Sequence, residues 1–258
     1  MNRSILLSFD VEEFDMPLEY NQQINLTEQL EIGRLGLEAI NPILEDKNMA
    51  ATLFTTATYA INFPDVIRTL AQHHEIASHT YYHSNFEDAH LLLSKLKLEE
   101  ICLKPVTGLR MPRMRKVAMN EVLKAGYTYD SSINPTYLPG RYNNLHLPKT
   151  IYKDEGVTRI PASVTPNCRI PLFWLSFKNM PYYLFKNLAI QTLKKDGYIC
   201  LYFHPWEFTN AIQTTALPSY TKRLCGEALL NKLKRLVSDL KKEGEFITMN
   251  DFAMQKHL

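Results

Sequence analysis

The chain has 258 residues, of which 45% are hydrophobic, and its 29 basic and 27 acidic side chains leave a net charge of +2. A chain of this length and apolar content can bury a substantial core, which excludes a disordered protein and a miniature fold held together by disulfides. The near balance of charge gives no basic excess for nucleic-acid phosphates, so we expect no nucleic-acid partner.

The predicted elements alternate between short apolar runs and longer amphipathic segments. The predicted strands are Ser4 to Phe9, Thr52 to Thr55, Glu75 to Ser78, Val106 to Leu109, Tyr127 to Tyr129, Val157 to Ile160, Ile199 to Phe203 and Phe246 to Thr248. The predicted helices, where apolar residues recur every three or four positions, are Leu26 to Asp46, Asp65 to His73, Glu87 to Leu103, Met119 to Ala125, Pro181 to Lys194 and Glu227 to Lys242. Asn25 is the expected N-cap of the first helix, with Glu28 completing a capping box.

This alternation is typical of βα units around a parallel sheet. The glycines form neither GxGxxG nor GxxxxGK[ST], so the phosphate-binding loops of open nucleotide-binding sheets are missing. We therefore predict an α/β fold in which residues 1–258 form a single domain, a distorted (β/α) barrel of seven or eight units. An open doubly wound sheet is the alternative.

The segment from Ser131 to Asn179 departs from the alternation, with one convincing strand among prolines and aromatic residues. A long irregular stretch in a compact domain is often functional. Because this one follows the fifth predicted strand, we expect it to be an insertion at the mouth of the active site. Its apolar run at 171–175 is interpreted as core or lid packing, as a substrate wall, or as a contact with a membrane or a partner.

The cysteines and the first residues of the chain bear on cellular location. The cysteines Cys102, Cys168, Cys200 and Cys225 contain no CxxC pair, so we expect free, buried thiols in a reducing compartment. Near the N-terminus only Ile5-Leu6-Leu7 is apolar before charged residues follow, which is too short for a signal peptide. No stretch reaches the ~18 apolar residues of a membrane span. We expect a cytoplasmic protein.

Two histidines with metal-ligand spacing follow the third predicted strand. His79 and His83 are four residues apart, so on a helical turn both imidazoles would project from one face and bind one cation. Taken alone, the pair is equally compatible with two unrelated histidines. The nearby His73 and His74 are expected at the surface.

Further polar residues stand where other predicted strands end. They are Asp10 and Glu12 after the first strand, Arg110 and Arg113 after the fourth, Asp130 after the fifth and His204 after the seventh. Each alone could be a solvated surface residue. Together they lie at the carboxyl ends of the strands, which is where (β/α) barrels have their active sites.

In this order the motifs resemble those of the polysaccharide deacetylases of carbohydrate esterase family four, also called the NodB-homology domain. The family pattern is an Asp motif on the first strand, H[ST]xxH, R-x-P, a later Asp motif and a strand that ends in His. The matching segments are Ser8-Phe9-Asp10-Val11-Glu12, His79-Thr80-Tyr81-Tyr82-His83, Arg110-Met111-Pro112, Asp130-Ser131-Ser132 and Phe203-His204-Pro205. Val11 departs from the commonest form, which has two adjacent aspartates, and is closer to the FDVE branch with its cytoplasmic and allantoinase-like members.

The resemblance implies a hydrolase that depends on one divalent metal ion. We expect zinc, with cobalt, nickel, manganese or iron as alternatives, held by Glu12, His79 and His83. The resemblance also implies that Asp10 is the general base, that Arg110 orients it, that His204 protonates the leaving amine, that the N–H of Arg113 stabilises the oxyanion, and that Asp130 orients one of these partners.

The same resemblance implies an N-acylated amino sugar as substrate, with acetyl as the expected acyl group and envelope glycan synthesis as the expected setting. A cytoplasmic enzyme would meet this sugar linked to a diphosphate, and aromatic and cationic side chains would contact the two parts. The residues predicted to do so are Tyr137, Arg141, Arg169, Trp174 and Trp206. Alternatives are an allantoinase-like hydrolase of a small amide and a catalytically silent barrel that binds a glycan or a partner.

Overall fold

A computed structural model describes residues 3–256. The predicted bounds of the domain, residues 1 and 258, lie outside the described residues. The strands are β1 Ser4–Val11, β2 Thr52–Thr55, β3 Glu75–Ser78, β4 Gly108–Leu109, β5 Tyr129–Asp130, β6 Tyr137–Leu138, β7 Tyr142–Asn143, β8 Tyr152–Asp154, β9 Val157–Arg159, β10 Tyr198–Phe203 and β11 Glu245–Phe246. The helices are α1 Leu26–Leu44, α2 Ala57–Asn62, α3 Pro64–Leu70, α4 Ala89–Cys102, α5 Met119–Lys124, α6 Trp174–Asn179, α7 Tyr182–Asp196, α8 Ser219–Lys222, α9 Gly226–Leu240 and α10 Met249–Lys256.

One curled sheet organises the fold. Its strand order is β10-β1-β2-β3-β4-β5-β9-β8, with β11 also paired with β1. The pairs from β10 to β9 are parallel, whereas β8 runs antiparallel to β9. Beyond β9, the N–H of Ser163 donates to the carbonyl oxygen of Cys200 in β10 at 2.9 Å, which brings the two sides of the parallel region together. The predicted α/β fold with a distorted (β/α) barrel is confirmed.

The first strand shows how the barrel positions polar groups. Every residue of β1 after Ser4 is buried, because one face packs inside the barrel and the other packs against the helices. Inside the barrel lie Leu6, Phe54, Ala77, Tyr129, Ile160, Tyr198 and Cys200, with Met249 and Phe252 of α10 at the end where the strands begin. Because side chains alternate along a strand, Asp10 lies on the same inner face as Leu6, at the carboxyl end.

Several helix and strand predictions need revised bounds. The α1 prediction is confirmed at its start, where the Asn25 side chain accepts from the N–H of Glu28 at 2.9 Å and a capping box forms. The predicted strand at Phe246 to Thr248 is shorter, because the Thr248 hydroxyl instead accepts from the N–H of Asp251 at the start of α10. Helix α2 was not predicted. Within residues 3–256, no helix is both long enough and apolar enough to cross a membrane.

The segment 131–179 is more ordered than its sequence indicates. It contains the hairpin β6-β7, the antiparallel pair β8-β9 and the short helix α6. In its apolar run, Leu172 is fully buried in the core, and Phe173 and Trp174 form the start of α6.

Two predictions of side-chain burial are wrong. Cys168 is exposed, whereas Cys102, Cys200 and Cys225 are free and buried as expected. His74 is buried rather than at the surface, since its Nε2 lies 2.9 Å from the carbonyl oxygen of Leu44 at the end of α1.

Candidate metal centre and active site

Glu12, His79 and His83 converge where the parallel strands end. The Glu12 Oε2 atom lies 3.0 Å from Nε2 of His79 and 2.9 Å from Nε2 of His83. All three residues are buried, and their potential ligand atoms lie within 4.8 Å of one another. The two histidines lie in a loop rather than on the predicted helical turn, and Thr80 between them adopts a φ of +63°. The three side chains have the composition of a two-histidine, one-carboxylate cation site.

Contacts on the far side of each imidazole fix its orientation. His79 Nδ1 lies 2.8 Å from the carbonyl oxygen of Arg110, which can only accept, so Nδ1 carries the hydrogen. The Nδ1 of His83 lies 2.7 Å from Oδ1 of Asp15, an ion-pair contact whose angle differs from that of a hydrogen bond. In the neutral form of both rings, the Nε2 lone pairs therefore face the Glu12 carboxylate. Three electron-pair donors directed at one point fit a divalent cation, and such outer contacts are typical of metal-bound histidines.

The Glu12 carboxylate is oriented by an indole. The Nε1–H of Trp206 donates to Glu12 Oε1 at 3.1 Å, and among residues 3–256 no donor makes a hydrogen bond of good geometry to the buried Oε2. Burial alone would raise the pKa of Glu12, but the imidazoles of His83 and His79 hold it well below its usual value. Glu12 therefore offers an ionised Oε2 atom to a cation.

Asp15 connects the histidines to the wall of the site. Its Oδ2 accepts from Nη2 of Arg113 at 2.9 Å, and Arg113 also bonds the carbonyl oxygen of His83 at 3.2 Å. Burial lowers the pKa of His83, but the charges of Glu12 and Asp15 outweigh it and raise this pKa to about 10. The Arg113 side chain thus supports the metal centre from outside, while the role expected of its backbone N–H stays a prediction.

Arg110 holds Asp10 from inside the barrel. Its Nη1 donates to Oδ1 of Asp10 at 2.7 Å and to the Ser8 hydroxyl at 2.9 Å, and its Nη2 donates to the Ser131 hydroxyl at 3.0 Å. The guanidinium is fully buried and lies 4.1 Å from the centre of the Phe54 ring. Because Oδ1 is occupied, Oδ2 is the free oxygen of Asp10, and it lies 3.9 Å from Nε2 of His204.

A buried ion pair supports His204 on its other side. His204 Nδ1 lies 3.2 Å from Oε1 of Glu207, and Oε2 of Glu207 lies 3.1 Å from Nζ of the fully buried Lys178. Burial lowers the pKa of His204, but the contact with Glu207 and the negative charges of Glu12, Glu207 and Asp10 together raise this pKa above its usual value. This favours a protonated His204, as a general acid requires. Sequence reasoning missed Glu207 and Lys178; the only signal is that Glu207 follows His204 by three residues.

Asp130 does not contact His204. It is paired with Nε of Arg159 at 2.9 Å and accepts from the N–H of Ser132 at 3.1 Å. The Ser132 hydroxyl in turn accepts from the N–H of Met111 at 2.8 Å. Asp130 therefore supports the turn after β4, which carries Arg110 and Arg113. It is not among the described lining residues of the cavity, and its expected role in orienting a catalytic partner stays a prediction.

A cavity of about 510 Å³ opens beside the metal centre. It is bounded by the turn at Met16–Tyr20, the β6-β7 hairpin, α6 and α8. The Tyr20 and Tyr220 hydroxyls lie 3.3 Å apart at one side. The 171–175 run contributes Pro171, Phe173, Trp174 and Leu175 to the lining, which favours the substrate-wall interpretation for that part of the run.

The predicted substrate residues divide into two groups. Arg141, Trp174 and Trp206 line the cavity, whereas Tyr137 and Arg169 are not among its lining residues. The Arg169 guanidinium donates to the carbonyl oxygens of Leu147 and Pro135 at 2.9 and 3.2 Å, so it supports the insertion instead. The Tyr137 side chain is exposed on β6. Neither residue therefore lies where the predicted contact with substrate would require it to lie.

Comparison with known proteins finds a family model that matches the first half of the chain. A family model described as polysaccharide deacetylase matches residues 3–129, a range that includes every residue of the metal centre together with Asp10 and Arg110. No curated protein sequence matches the chain.

Solved structures share the fold at low sequence identity. A protein from Pseudomonas aeruginosa PAO1 described as a polysaccharide deacetylase is 16% identical, with a TM-score of 0.69 over 98% of this chain and 90% of that chain. Puue allantoinase is 17% identical, with a TM-score of 0.67 over 98% and 90%. A family-four pseudoenzyme from Bacillus anthracis is 11% identical, with a TM-score of 0.53 over 98% and 66%. At these identities the likeness concerns the fold.

Proposed function

We propose that this protein is a metal-dependent hydrolase of the polysaccharide deacetylase family that removes an acyl group from an amino sugar. The match of that family's model to residues 3–129 supports a hydrolase. The removal of acetyl from an N-acetylated sugar, with zinc as the metal, is the specific form of the proposal.

One observation supports this proposal most strongly: a cation site and an acid-base pair meet at the edge of one cavity. Glu12, His79 and His83 form the cation site, Asp10 and His204 form the acid-base pair, and all five line the cavity. Amide hydrolysis needs these functions within reach of one substrate, since water must lose a proton and the departing amine must gain one.

In the proposed mechanism the cation site and the acid-base pair act on the same amide. A divalent ion held by Glu12, His79 and His83 would supply Lewis-acid chemistry to the water and the amide carbonyl when bound. The free Oδ2 of Asp10 accepts the proton of the attacking water, while Arg110 holds this carboxylate in place through Oδ1. As the C–N bond breaks, His204 donates the proton on Nε2 to the amine nitrogen. Glu207 keeps that proton available through its contact with Nδ1.

Two rival functions are distinguished from the proposed function by the same experiment. An allantoinase-like hydrolase would use the same groups on a small amide, and the structural likeness to Puue allantoinase makes it the closer rival. A silent barrel is the second rival, since a pseudoenzyme shares the fold. We favour an active enzyme because base, acid and cation ligands are all present at one cavity.

The diphosphate on the sugar stays a prediction from the sequence. Of the two cations expected to contact it, Arg169 supports the insertion, whereas Arg141 lines the cavity and is paired with Glu19 at 3.0 Å. The cytoplasmic location stays a prediction from the sequence.

The proposal is tested by measuring amine release from a panel of N-acetylated amino sugars and ring opening of allantoin to its carboxylate, each with and without added zinc. We expect turnover on a sugar, an Asp10→Asn variant that is slower by ~10²- to 10⁴-fold, and a His79→Ala variant that is inactive. His73→Ala, which changes an exposed histidine, is the matched control and should retain wild-type rates. Turnover of allantoin alone would support the first rival, and metal-loaded protein without turnover on any amide would support the second.

A further inference from the structure

Much of the cavity lining around the catalytic groups is built from apolar side chains. It includes four of the nine methionines of the chain, Met16, Met111, Met114 and Met180, together with Ile170 and Leu175. Of these six, only Met111 is fully enclosed by protein; the others are partly accessible or exposed and belong to the cavity surface. An accessible apolar surface of this kind marks a binding site, and methionine adapts its shape to an apolar ligand.

The charged groups of this lining are already neutralised. The Arg113 guanidinium is paired with Asp15 at 2.9 Å and also with Glu19. Arg141 shares the same Glu19 carboxylate at 3.0 Å. An anionic substituent would have to break these pairs, whereas an apolar substituent would leave them intact.

The size of the cavity points the same way. Its volume of about 510 Å³ falls within the range of about 300–1,000 Å³ that is typical of pockets for drug-sized ligands. An acetyl methyl group would leave most of this apolar surface in contact with water. We propose that the preferred substrate has an apolar substituent of several carbons next to the scissile amide, an inference that rests on the proposed amide hydrolysis.

Such a substituent has two possible sources on an amino sugar. It is either a long N-acyl chain or an apolar group attached to the sugar itself, and both present the same chemistry to the methionines of the cavity. N-octanoylglucosamine tests the first source, octyl N-acetylglucosaminide tests the second, and N-acetylglucosamine is the common reference.

Binding can be measured independently of turnover, because both tryptophans of the chain, Trp174 and Trp206, line the cavity. Each probe is titrated against the metal-loaded protein, below its micelle concentration, while tryptophan fluorescence is recorded. We expect at least one octyl probe to bind more than about tenfold more tightly than N-acetylglucosamine, since each buried methylene contributes favourably to binding.

Matched methionine variants test whether the methionines of the cavity cause the preference for the octyl probe. Met114→Gln and Met180→Gln place a polar amide in the cavity lining and should reduce the preference for the octyl probe by about tenfold. Met254→Gln changes an exposed methionine of α10 outside the cavity and should leave it unchanged.

Equal affinity for the octyl and acetyl probes, or an octyl preference unaffected by both variants of the cavity methionines, would overturn the inference. Failure of the proposed function gives a different result. In that case none of the three compounds would be hydrolysed, while the octyl preference in binding would persist and would still support an apolar ligand.

Discussion

At the scale of single residues, the site is organised by outer contacts as much as by the groups that face substrate. Asp15 orients His83, Trp206 orients Glu12, and Arg110 leaves one oxygen of Asp10 free. Outer partners of this kind fix tautomers and hold ligands in place before a cation binds. Replacing an outer partner should therefore weaken the function that it supports without removing the reacting group.

The metal ligands provide a direct residue-scale prediction. Wild-type protein should bind about one zinc ion per chain, and His83→Ala should bind markedly less, because it removes one of three ligands. Asp15→Asn retains all three ligands but weakens the support of His83, so its affinity should fall by a smaller factor, on the order of 10- to 100-fold. Zinc titration with a competing chelator measures both. Equal zinc affinity in wild type and His83→Ala would contradict the assignment.

The second residue-scale prediction concerns pH. Glu207 raises the pKa of His204, so the proton needed by the leaving amine is present below that pKa and is lost as pH rises through it. Glu207→Gln should lower this pKa and shift the alkaline limb of the kcat/KM profile to lower pH. Measurement of kcat/KM against pH for both proteins tests the shift.

A control is needed because Glu207→Gln leaves Lys178 buried without a charged partner. The double variant Glu207→Gln, Lys178→Met removes that ammonium and should show the same displaced limb with recovered stability. If the alkaline limb of both variants stayed at the wild-type pH, the result would contradict a role for Glu207 in the acid step.

At the scale of elements, α1 positions the turn that carries the support of His204. A Cβ atom added at Gly36 of α1 would lie 2.3 Å from the carbonyl carbon of Pro205, so only glycine allows this close approach. The turn at Pro205–Phe208 contains Trp206 and Glu207, which contact Glu12 and His204. The packing of α1 against this turn therefore affects both the metal ligand Glu12 and the proposed general acid His204.

Gly36→Ala tests this coupling. We expect it to lower the free energy of unfolding by ~1–3 kcal/mol, as overpacking does, and also to lower kcat by displacing the turn. Leu35→Ala, at an exposed neighbouring position of the same helix, is the control and should change stability by less than about 0.5 kcal/mol. Denaturant unfolding and initial rates give the two readouts, and an unchanged stability for Gly36→Ala would refute the close-packing argument.

At the scale of the whole molecule, the sequence predicts the location of those site residues that follow directly from the ends of strands. Asp10, Glu12 and Arg110 follow strands with clear apolar patterns, so their shared location at one end of the barrel could be predicted. The contacts of Glu207 and Lys178 could not, because they join segments whose approach depends on how α6 packs.

Asp130 is a residue whose motif could be recognised from the sequence but whose partner could not. Asp130 and Arg159 are direct neighbours in the parallel pairing of β5 with β9, so their side chains form an ion pair. The sequence showed both strands but not that they are adjacent, because β6, β7 and β8 lie between them in the chain. Strand order therefore decides the partner of Asp130.

The most direct measurement is the rate of amine release from an N-acylated amino sugar by chelator-treated protein as zinc is returned in steps. We expect almost no rate without metal and a linear rise that ends near one equivalent, because Glu12, His79 and His83 form one site among the described residues. Full activity in the metal-free protein, or a rise in Glu12→Ala equal to that of wild type, would contradict metal-dependent hydrolysis at this centre.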